Sequence, residues 1–200
     1  LMRFSGVWLL MGVCLWTAPL AWAKPKPVEP VPTHVQQARD QVDWSSAGDE
    51  AAEVLRQYLM VPTVNPSGNE QLGVDYLGAQ LDKEGIPWRS VPHEEGRSSL
   101  VARLAGSGKE APLCLLHHID VVPAEPSKWE HPPFGGVIEE GMLWGRGALD
   151  MKGLGALQLM SFLWLKRLNI PLKRDVILIA VADEEVNNTG AKVLFEDDEE

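Results

Sequence analysis

The sequence predicts an α/β domain in which a partly parallel sheet is flanked by helices. An apolar run at 113–116 is followed by a helical pattern over 151–168 and then by a second apolar run at 176–182. Strand, helix and strand in this order are typical of a crossover between two parallel strands. The second run is β-branched and apolar throughout, which indicates a central strand buried on both faces. The first run indicates a buried strand as well.

The amino terminus predicts a signal for export. Residues 1–23 combine a short positive start, an apolar stretch at 7–16 and the small-x-small pattern A-W-A, which together are typical of a secretory signal peptide cleaved after Ala23. The stretch is short for a membrane span, and an uncleaved anchor is the alternative. We therefore expect an exported protein, periplasmic or extracellular, without stable membrane association after cleavage. Cell fractionation tests this expectation, because recovery from the cytoplasm alone would contradict it.

A Pro-rich linker is predicted to precede the folded domain. Residues 24–44 begin K-P-K-P-V-E-P-V-P, and alternating prolines block both helix formation and sheet pairing. The folded part is expected at 45–200, where Ser46 or Asp49 can cap a helix that runs to about Leu59.

Further along, the pattern alternates between helix, strand and loop. A second helix is predicted over 70–84 and ends at Gly85, a residue that favours the end of a helix. Alternating apolar residues at 100–104 predict a half-exposed strand. Proline and glycine predict loops at 61–68 and, at greater length, at 122–147.

The composition is that of a globular protein with an acidic surface. Two hundred residues can bury one sizeable core, so one domain is expected. The formal net charge of −10 argues against a nucleic-acid partner, which would require a basic surface. Cys114 would be the one cysteine left after signal cleavage, and its place in an apolar run predicts a buried, inert thiol.

Polar clusters follow both apolar runs. The first run leads into H-H-I-D at 117–120, and the second leads into D-E-E at 183–185. Because the carboxyl ends of neighbouring parallel strands meet at one edge of a sheet, these clusters are expected to lie together. His118 and Asp120 are two residues apart and would share one side of the strand. His118 can bind a metal while Asp120 hydrogen-bonds its other ring nitrogen; a packed core histidine is the alternative.

Carboxylates complete the candidate site. Asp150 directly precedes the predicted helix, so it can cap the helix, bridge two cations, or do both. Glu184 and Glu185 are adjacent and their side chains diverge, so one can bind metal while the other accepts a proton from activated water. The alternative is a solvated acidic turn, like the acidic stretch at 196–200.

Five motifs resemble those of peptidase family M20, the di-zinc family of carboxypeptidases, aminoacylases, acetylornithine deacetylase and succinyl-diaminopimelate desuccinylase. They are T-V-N-P-S-G at 63–68, H-I-D-V-V-P at 118–123, Trp129 with P-P-F at 132–134, L-W-G-R-G-A-L-D-M-K-G at 143–153, and D-E-E at 183–185. The resemblance covers about 51–195. His117 departs from it, since the family commonly has a small residue there. Asn187 stands where glycine is common, and asparagine tolerates the left-handed backbone that such a turn requires.

The resemblance implies a role for each site residue. His118 would bind one zinc and Asp120 would orient it, Asp150 would bridge both zincs, Glu184 would be the general base, and Glu185 would bind the other zinc. The implied cofactor is two Zn²⁺, with Co²⁺ or Mn²⁺ as alternatives. Four further motif positions, Trp129, Phe134, Arg146 and Lys152, are expected to be packing and loop anchors.

The resemblance also implies a metallopeptidase-type hydrolase. It would cleave a small peptide or an N-acyl amino acid with di-zinc-activated water, as a carboxypeptidase does. The alternatives are an N-acyl-amino-acid deacylase of the same family, a non-catalytic ligand-binding relative and an inactive fragment. Because the family continues with further ligands and a lid domain, 45–200 is expected to be the amino-terminal part of a catalytic domain that is inactive alone. A homodimer would form through a domain absent from this chain.

Overall fold

The computed structural model describes residues 30–197, so the predicted signal peptide at 1–23 lies outside the described residues. The elements run in the order α1 Thr33–Arg39, α2 Trp44–Leu59, α3 Glu70–Lys83, β1 Trp88–Glu94, β2 Arg97–Leu104, β3 Leu113–His118, β4 Val137–Glu139, β5 Met142–Trp144, α4 Lys152–Arg167, β6 Val176–Val181 and α5 Thr189–Asp197, with a 3-10 turn at Pro126–Lys128. Within this range, the helices are all too short or too polar to cross a bilayer.

The folded unit begins earlier than predicted. It starts at Thr33, and helix α1 occupies part of the predicted linker at 24–44. The reason is that prolines stop at Pro32 and do not return until Pro62, so the intervening backbone is free to form helices. The cap of α2 is also earlier than predicted. Asp43 accepts hydrogen bonds from the amides of Ser45 and Ser46, whereas Ser46 and Asp49 lie inside the helix.

The main sheet has four strands in the order β1-β2-β6-β3. β3 and β6 are parallel and are joined through α4, which confirms the predicted strand–helix–strand unit. β2 pairs with β6 and with β1 in antiparallel fashion, so the sheet is partly parallel, as predicted. The sequence analysis did not find β1, which contains Pro92 and lies at the edge of the described sheet, where proline is tolerated.

Helices cover both faces of the central strand β6. On one face, Leu178 and Ala180 belong to the main core, together with apolar residues of α2, α3 and α4. On the other face, Val181 packs with Val91 and with Leu194 of α5. Side chains alternate between the two faces of a strand, so the continuous apolar run is explained by burial on both sides.

β3 differs from the buried strand that its apolar sequence predicts. Leu113 and Leu116 are 46% and 43% exposed, and Cys114 is exposed too, so the prediction of a buried thiol is wrong. The cause is position. Among the described residues β3 pairs with β6 alone, and α4 covers one of its faces. The strand also continues through His117 and His118, two residues beyond the apolar run.

A small hairpin lies inside the region predicted as a long loop at 122–147. β4 and β5 pair through the two residues Glu140 and Gly141, whose φ angles are 51° and 77°. Positive φ at both central residues is the geometry of a type I′ turn, which matches the twist of two antiparallel strands. The density of proline and glycine in this region obscured the two three-residue strands.

Candidate metal centre

The two polar clusters meet at one edge of the sheet, as the sequence predicts. In the parallel register His118 lies opposite Val181, and the Ile119 amide donates a hydrogen bond to the Val181 carbonyl over 2.7 Å. The segment that carries Asp120 therefore leaves the sheet beside the segment that carries Glu184 and Glu185.

Three of the predicted residues form a possible metal-ligand group. His118, Asp150 and Glu185 each offer one ligand atom, and these atoms all lie within 4.8 Å of one another. His118 is 5% exposed at its side chain, whereas Asp150 is 79% exposed and lies with Oδ1 2.9 Å from His118 Nε2. One imidazole and two carboxylates are a donor set that suits Zn²⁺, Co²⁺ or Mn²⁺. The structure thus brings together the residues predicted to bind metal, and their geometry fits a cation.

The main chain of Asp120 orients His118. Nδ1 of His118 lies 2.9 Å from the Asp120 carbonyl oxygen and 3.7 Å from its carboxylate. Donation from Nδ1–H to that carbonyl leaves Nε2 as the nitrogen that faces Asp150. The orienting role predicted for Asp120 would therefore act through its backbone carbonyl, while its carboxylate has other partners.

The Asp120 carboxylate holds the acidic turn. It is fully buried and accepts hydrogen bonds from the amides of Glu184, over 3.1 Å, and Glu185, over 2.9 Å. It also accepts a short hydrogen bond from the side-chain amide of Asn65. Because the Asp120 carboxylate accepts hydrogen bonds from three groups, it fixes the backbone that presents both glutamates.

Glu184 stands beside the ligand group. Its side chain is 45% exposed, and Oε2 lies 3.9 Å from His118 Nε2. This is the position expected of a carboxylate that stays free while Glu185 binds metal. Its role as a general base remains a prediction.

The electrostatics of the site favour a bound cation. Burial opposes a charge on His118, but hydrogen bonds with Asp150 and Asp120 and the nearby carboxylates raise its pKa above the ordinary value. Burial also raises the pKa of Glu185, and the like charges of Asp150, Asp120 and Glu184 add to this effect, while His118 opposes it. Carboxylates placed this close repel one another unless a positive charge lies between them.

Asp150 does not cap the helix that follows it. The cap position of α4 is Met151, which makes no side-chain capping bond, and the Asp150–Met151 peptide bond is cis. Of the two roles predicted for Asp150, the structure is therefore compatible with the metal-ligating one alone.

Three of the four motif positions predicted as anchors, Trp129, Arg146 and Lys152, make contacts that fit this role. The Lys152 side chain is buried, and Nζ donates hydrogen bonds to the carbonyls of Val61, over 2.7 Å, and Tyr58, over 3.2 Å. Burial lowers the pKa of Lys152 to about 7, against a smaller opposing effect of Asp120. The Arg146 guanidinium lies 5.1 Å from the ring centre of Trp129.

A buried polar network behind the site was missed by the sequence analysis. It consists of Asn65, Glu70, Arg97 and Asp183, all of which are buried. Asn65 lies in the T-V-N-P-S-G motif and Asp183 begins the D-E-E motif, and these two motifs were the signals that could have indicated the network. Arg97, at the start of a strand, gave no such signal.

The backbone of the acidic turn also differs from expectation. Positive φ occurs at Asp183 (64°) and Asn188 (58°) rather than at Asn187. The amides of Asn187 and Asn188 both donate to the Asp183 carbonyl, which closes the turn one residue later than the sequence suggested.

Comparisons with known proteins agree with these motifs. The sequence model of peptidase family M20/M25/M40 matches residues 114–200. A succinyl-diaminopimelate desuccinylase of Xanthobacter autotrophicus is 34% identical over 137 residues, which cover 68% of this chain and 34% of that protein. The N-fatty-acyl-amino acid synthase/hydrolase PM20D1 of Xenopus tropicalis is 35% identical over 156 residues, which cover 74% of this chain and 30% of that protein.

Solved structures share the fold. Human carnosine dipeptidase 1 matches with a TM-score of 0.65 and 22% identity, over 84% of this chain and 38% of that one. The M20 metallo-carboxypeptidase Sso-CP2 of Sulfolobus solfataricus matches with a TM-score of 0.58 and 27% identity, over 66% of this chain and 30% of that one. The chain spans about a third of the length of the curated relatives it matches. Motifs, ligand geometry and these likenesses together show that the chain belongs to peptidase family M20/M25/M40.

Proposed function

We propose that the protein is a metal-dependent hydrolase that cleaves a peptide or N-acyl amide bond. The observation that carries this proposal is the position of Glu184, a free and accessible carboxylate beside the group of His118, Asp150 and Glu185. A ligand group alone would suit a structural metal as well. A ligand group with an adjacent unengaged base is the arrangement that hydrolysis requires.

In this proposal His118, Asp150 and Glu185 would hold the metal. A bound zinc would lower the pKa of water to near neutrality and polarise the carbonyl under attack. Three side chains supply too few ligands for two four-coordinate ions, so a two-zinc centre would need further ligands.

The remaining steps belong to side chains of this chain. Glu184 accepts a proton from the attacking water and delivers it to the leaving amine, a transfer that its exposure and its 3.9 Å distance from His118 Nε2 allow. Asp120 keeps His118 oriented through its carbonyl and keeps the backbone of Glu184 and Glu185 in place through its carboxylate. The acid–base group is thus held by its backbone while its side chain stays free to move the proton.

The names of the relatives point to two forms of this reaction. The two sequence relatives described above are a desuccinylase and an N-fatty-acyl-amino acid synthase/hydrolase, which favours removal of an acyl group from an amino acid. The neighbouring structures include a dipeptidase and a metallo-carboxypeptidase, which favours small peptides. Both substrate classes contain a secondary amide beside a carboxylate, so one panel of dipeptides, N-acetyl and N-succinyl amino acids tests them together.

The deciding experiment is the Glu184→Gln substitution in the intact protein. We expect kcat to fall by about 10²–10⁴-fold, the range for loss of a general base, while bound metal is retained. Glu196→Gln, which changes an exposed glutamate of α5, is the matched control and should leave kcat unchanged. Near wild-type hydrolysis by Glu184→Gln with metal bound would refute the role of Glu184. Absence of both metal binding and amide hydrolysis in the wild type would refute the function.

A further inference from the structure

Arg97 lies at the centre of the buried network behind the metal centre. Its side chain is 9% exposed, and Nη1 donates hydrogen bonds to Asp183 Oδ1, over 2.6 Å, and to Glu70 Oε1, over 3.1 Å. Nη2 donates to the side-chain oxygen of Asn65, over 2.9 Å, and to the Pro66 carbonyl, over 2.8 Å. The planar guanidinium can serve these acceptors at once, which a lysine ammonium cannot do in the same plane.

Asn65 connects this arginine to the metal centre. Its side-chain oxygen accepts a hydrogen bond from Arg97, and this bond directs its side-chain nitrogen to the Asp120 carboxylate. The surrounding loop is fixed as well. The backbone amide of Asn65 donates to the Val121 carbonyl over 3.0 Å, and Thr63 Oγ1 donates to the Ile119 carbonyl over 2.8 Å. The side-chain amide of Asn65 is therefore held in one orientation between the Arg97 guanidinium and the Asp120 carboxylate.

The acidic turn is thereby held on two sides by one network. On one side Arg97 binds the side chain of Asp183, the residue before the two glutamates. On the other side Asp120, which Asn65 holds, binds the amides of Glu184 and Glu185. Asp183 has a φ of 64°, a left-handed conformation that is uncommon for residues other than glycine and needs support from its surroundings.

We propose that Asn65 and Arg97 are positioning residues of the metal centre: acting through Asp120 and Asp183, they fix the turn that presents Glu184 and Glu185. Neither residue is within the ligand group, and neither offers an atom to the reaction. Their effect on catalysis rests on the proposed function, whereas their effect on the turn and on metal affinity does not depend on which amide is cleaved.

The test uses Asn65→Leu in the intact protein, because leucine keeps the branched skeleton of the asparagine side chain and removes both hydrogen bonds of the relay. We expect kcat to fall by about 10–100-fold and the Kd for Zn²⁺, measured against a chromophoric chelator, to rise by a similar factor. KM should change by no more than about threefold, because the affected groups act on the reaction rather than on substrate binding.

Amide hydrogen exchange of the metal-free protein separates positioning from general stability. Exchange should accelerate in peptides that cover 183–188 and stay unchanged in peptides from α4 and β6. Asn69→Leu is the matched control, since Asn69 is exposed at the start of α3 and makes no side-chain capping bond. Asn65→Asp, which keeps the acceptor for Arg97 and loses the donor to Asp120, provides a second variant should Asn65→Leu fold poorly.

The outcomes are distinct. Wild-type kcat, zinc affinity and exchange at 183–188 in both folded Asn65 variants would overturn the inference while leaving the proposed function intact. Uniformly faster exchange over the whole fold would also overturn it, because it would show a purely structural role. If the wild-type protein binds zinc but hydrolyses no amide in the panel, the proposed function fails, and zinc affinity with exchange still decides the positioning role.

Discussion

At the scale of single residues, His117 shows how a departure from the family pattern is accommodated. The imidazole is buried: Nδ1–H donates to Gln158 Oε1 over 3.0 Å, and Nε2 can accept from the Tyr58 hydroxyl at 3.5 Å. Burial lowers the pKa of His117 to about 4, against the opposing effect of the Gln158 bond, so the ring is neutral at neutral pH. A large side chain fits here because helix α4 has a glycine, Gly155, directly against the ring.

Gly155→Ala should therefore destabilise the protein. An added Cβ would lie 2.5 Å from His117 Cδ2, and overpacking of this kind costs roughly 1–3 kcal/mol, more than the roughly 0.5–1 kcal/mol gained by alanine over glycine in a helix. Urea unfolding measures the difference. Gly48→Ala in α2 is the control and should stabilise, because a Cβ there meets nothing within 4 Å.

The same pair provides a sharper check. If the loss of unfolding free energy in Gly155→Ala comes from the contact with His117, this loss should largely vanish in a His117→Ala background. A double-mutant cycle measures the difference. An equal cost in both backgrounds would contradict this explanation.

At the scale of elements, Asp175 joins the strands of the sheet to the loop between β2 and β3. Its carboxylate accepts from the Gly106 amide over 2.6 Å and from Arg103 Nε over 2.9 Å, and its carbonyl accepts from the Leu113 amide over 2.9 Å. The Gly106 and Arg103 hydrogen bonds lower the pKa of Asp175 below its ordinary value. The start of β6 is thus bound to both of its neighbouring strands through one residue.

Asp175→Asn should reduce stability in a pH-dependent way. Because the pKa is lower in the folded state, the carboxylate stabilises the fold above its unfolded pKa of about 4, and this contribution is lost as the pH falls through the depressed folded value. The urea midpoint of the variant should lie below that of the wild type at pH 7, and the gap should narrow below about pH 4. Asp49→Asn, at an exposed position of α2, should show no such gap. A gap that is constant with pH would contradict the argument.

At the scale of the whole molecule, the metal centre concentrates negative charge in an already acidic protein. Asp120, Asp150, Glu184 and Glu185 converge on one edge of the sheet with His118, and the chain carries a net charge of −10. Because these groups are spread over three separate segments, a cation that binds them also holds those segments together.

Removal of metal should therefore lower the melting temperature of the intact protein. A ligand that binds the folded state alone stabilises it by about 2.7 kcal/mol at a free concentration of 100 times its Kd. Zinc added to chelator-treated protein should restore the melting temperature, and Mg²⁺, which prefers six oxygen ligands, should do so less. Glu185→Gln should weaken the response. A melting temperature that chelator and zinc leave unchanged would contradict a metal site here.

Much of the fold was predictable because it follows from local periodicity. The bounds of helix α4 and of the central strand β6 were predicted to within one or two residues. Their apolar spacing reflects which side chains are buried, whatever element packs against them. The short strands β4 and β5 and the edge strand β1 were missed, because three-residue strands and a strand with proline carry little periodic signal.

The sequence by itself determined which ligand-type residues meet: His118 and Glu185 follow parallel strands that end at one edge of the sheet, and the motif at 143–153 added Asp150 to the predicted metal ligands. The tertiary structure alone decided what surrounds them. The exposure of Cys114 depends on which strands adjoin β3, and the Arg97–Asn65–Asp120 relay joins residues up to 55 positions apart. Such contacts have no local pattern, because the free energy of a buried hydrogen bond depends on the partner that folding brings to it.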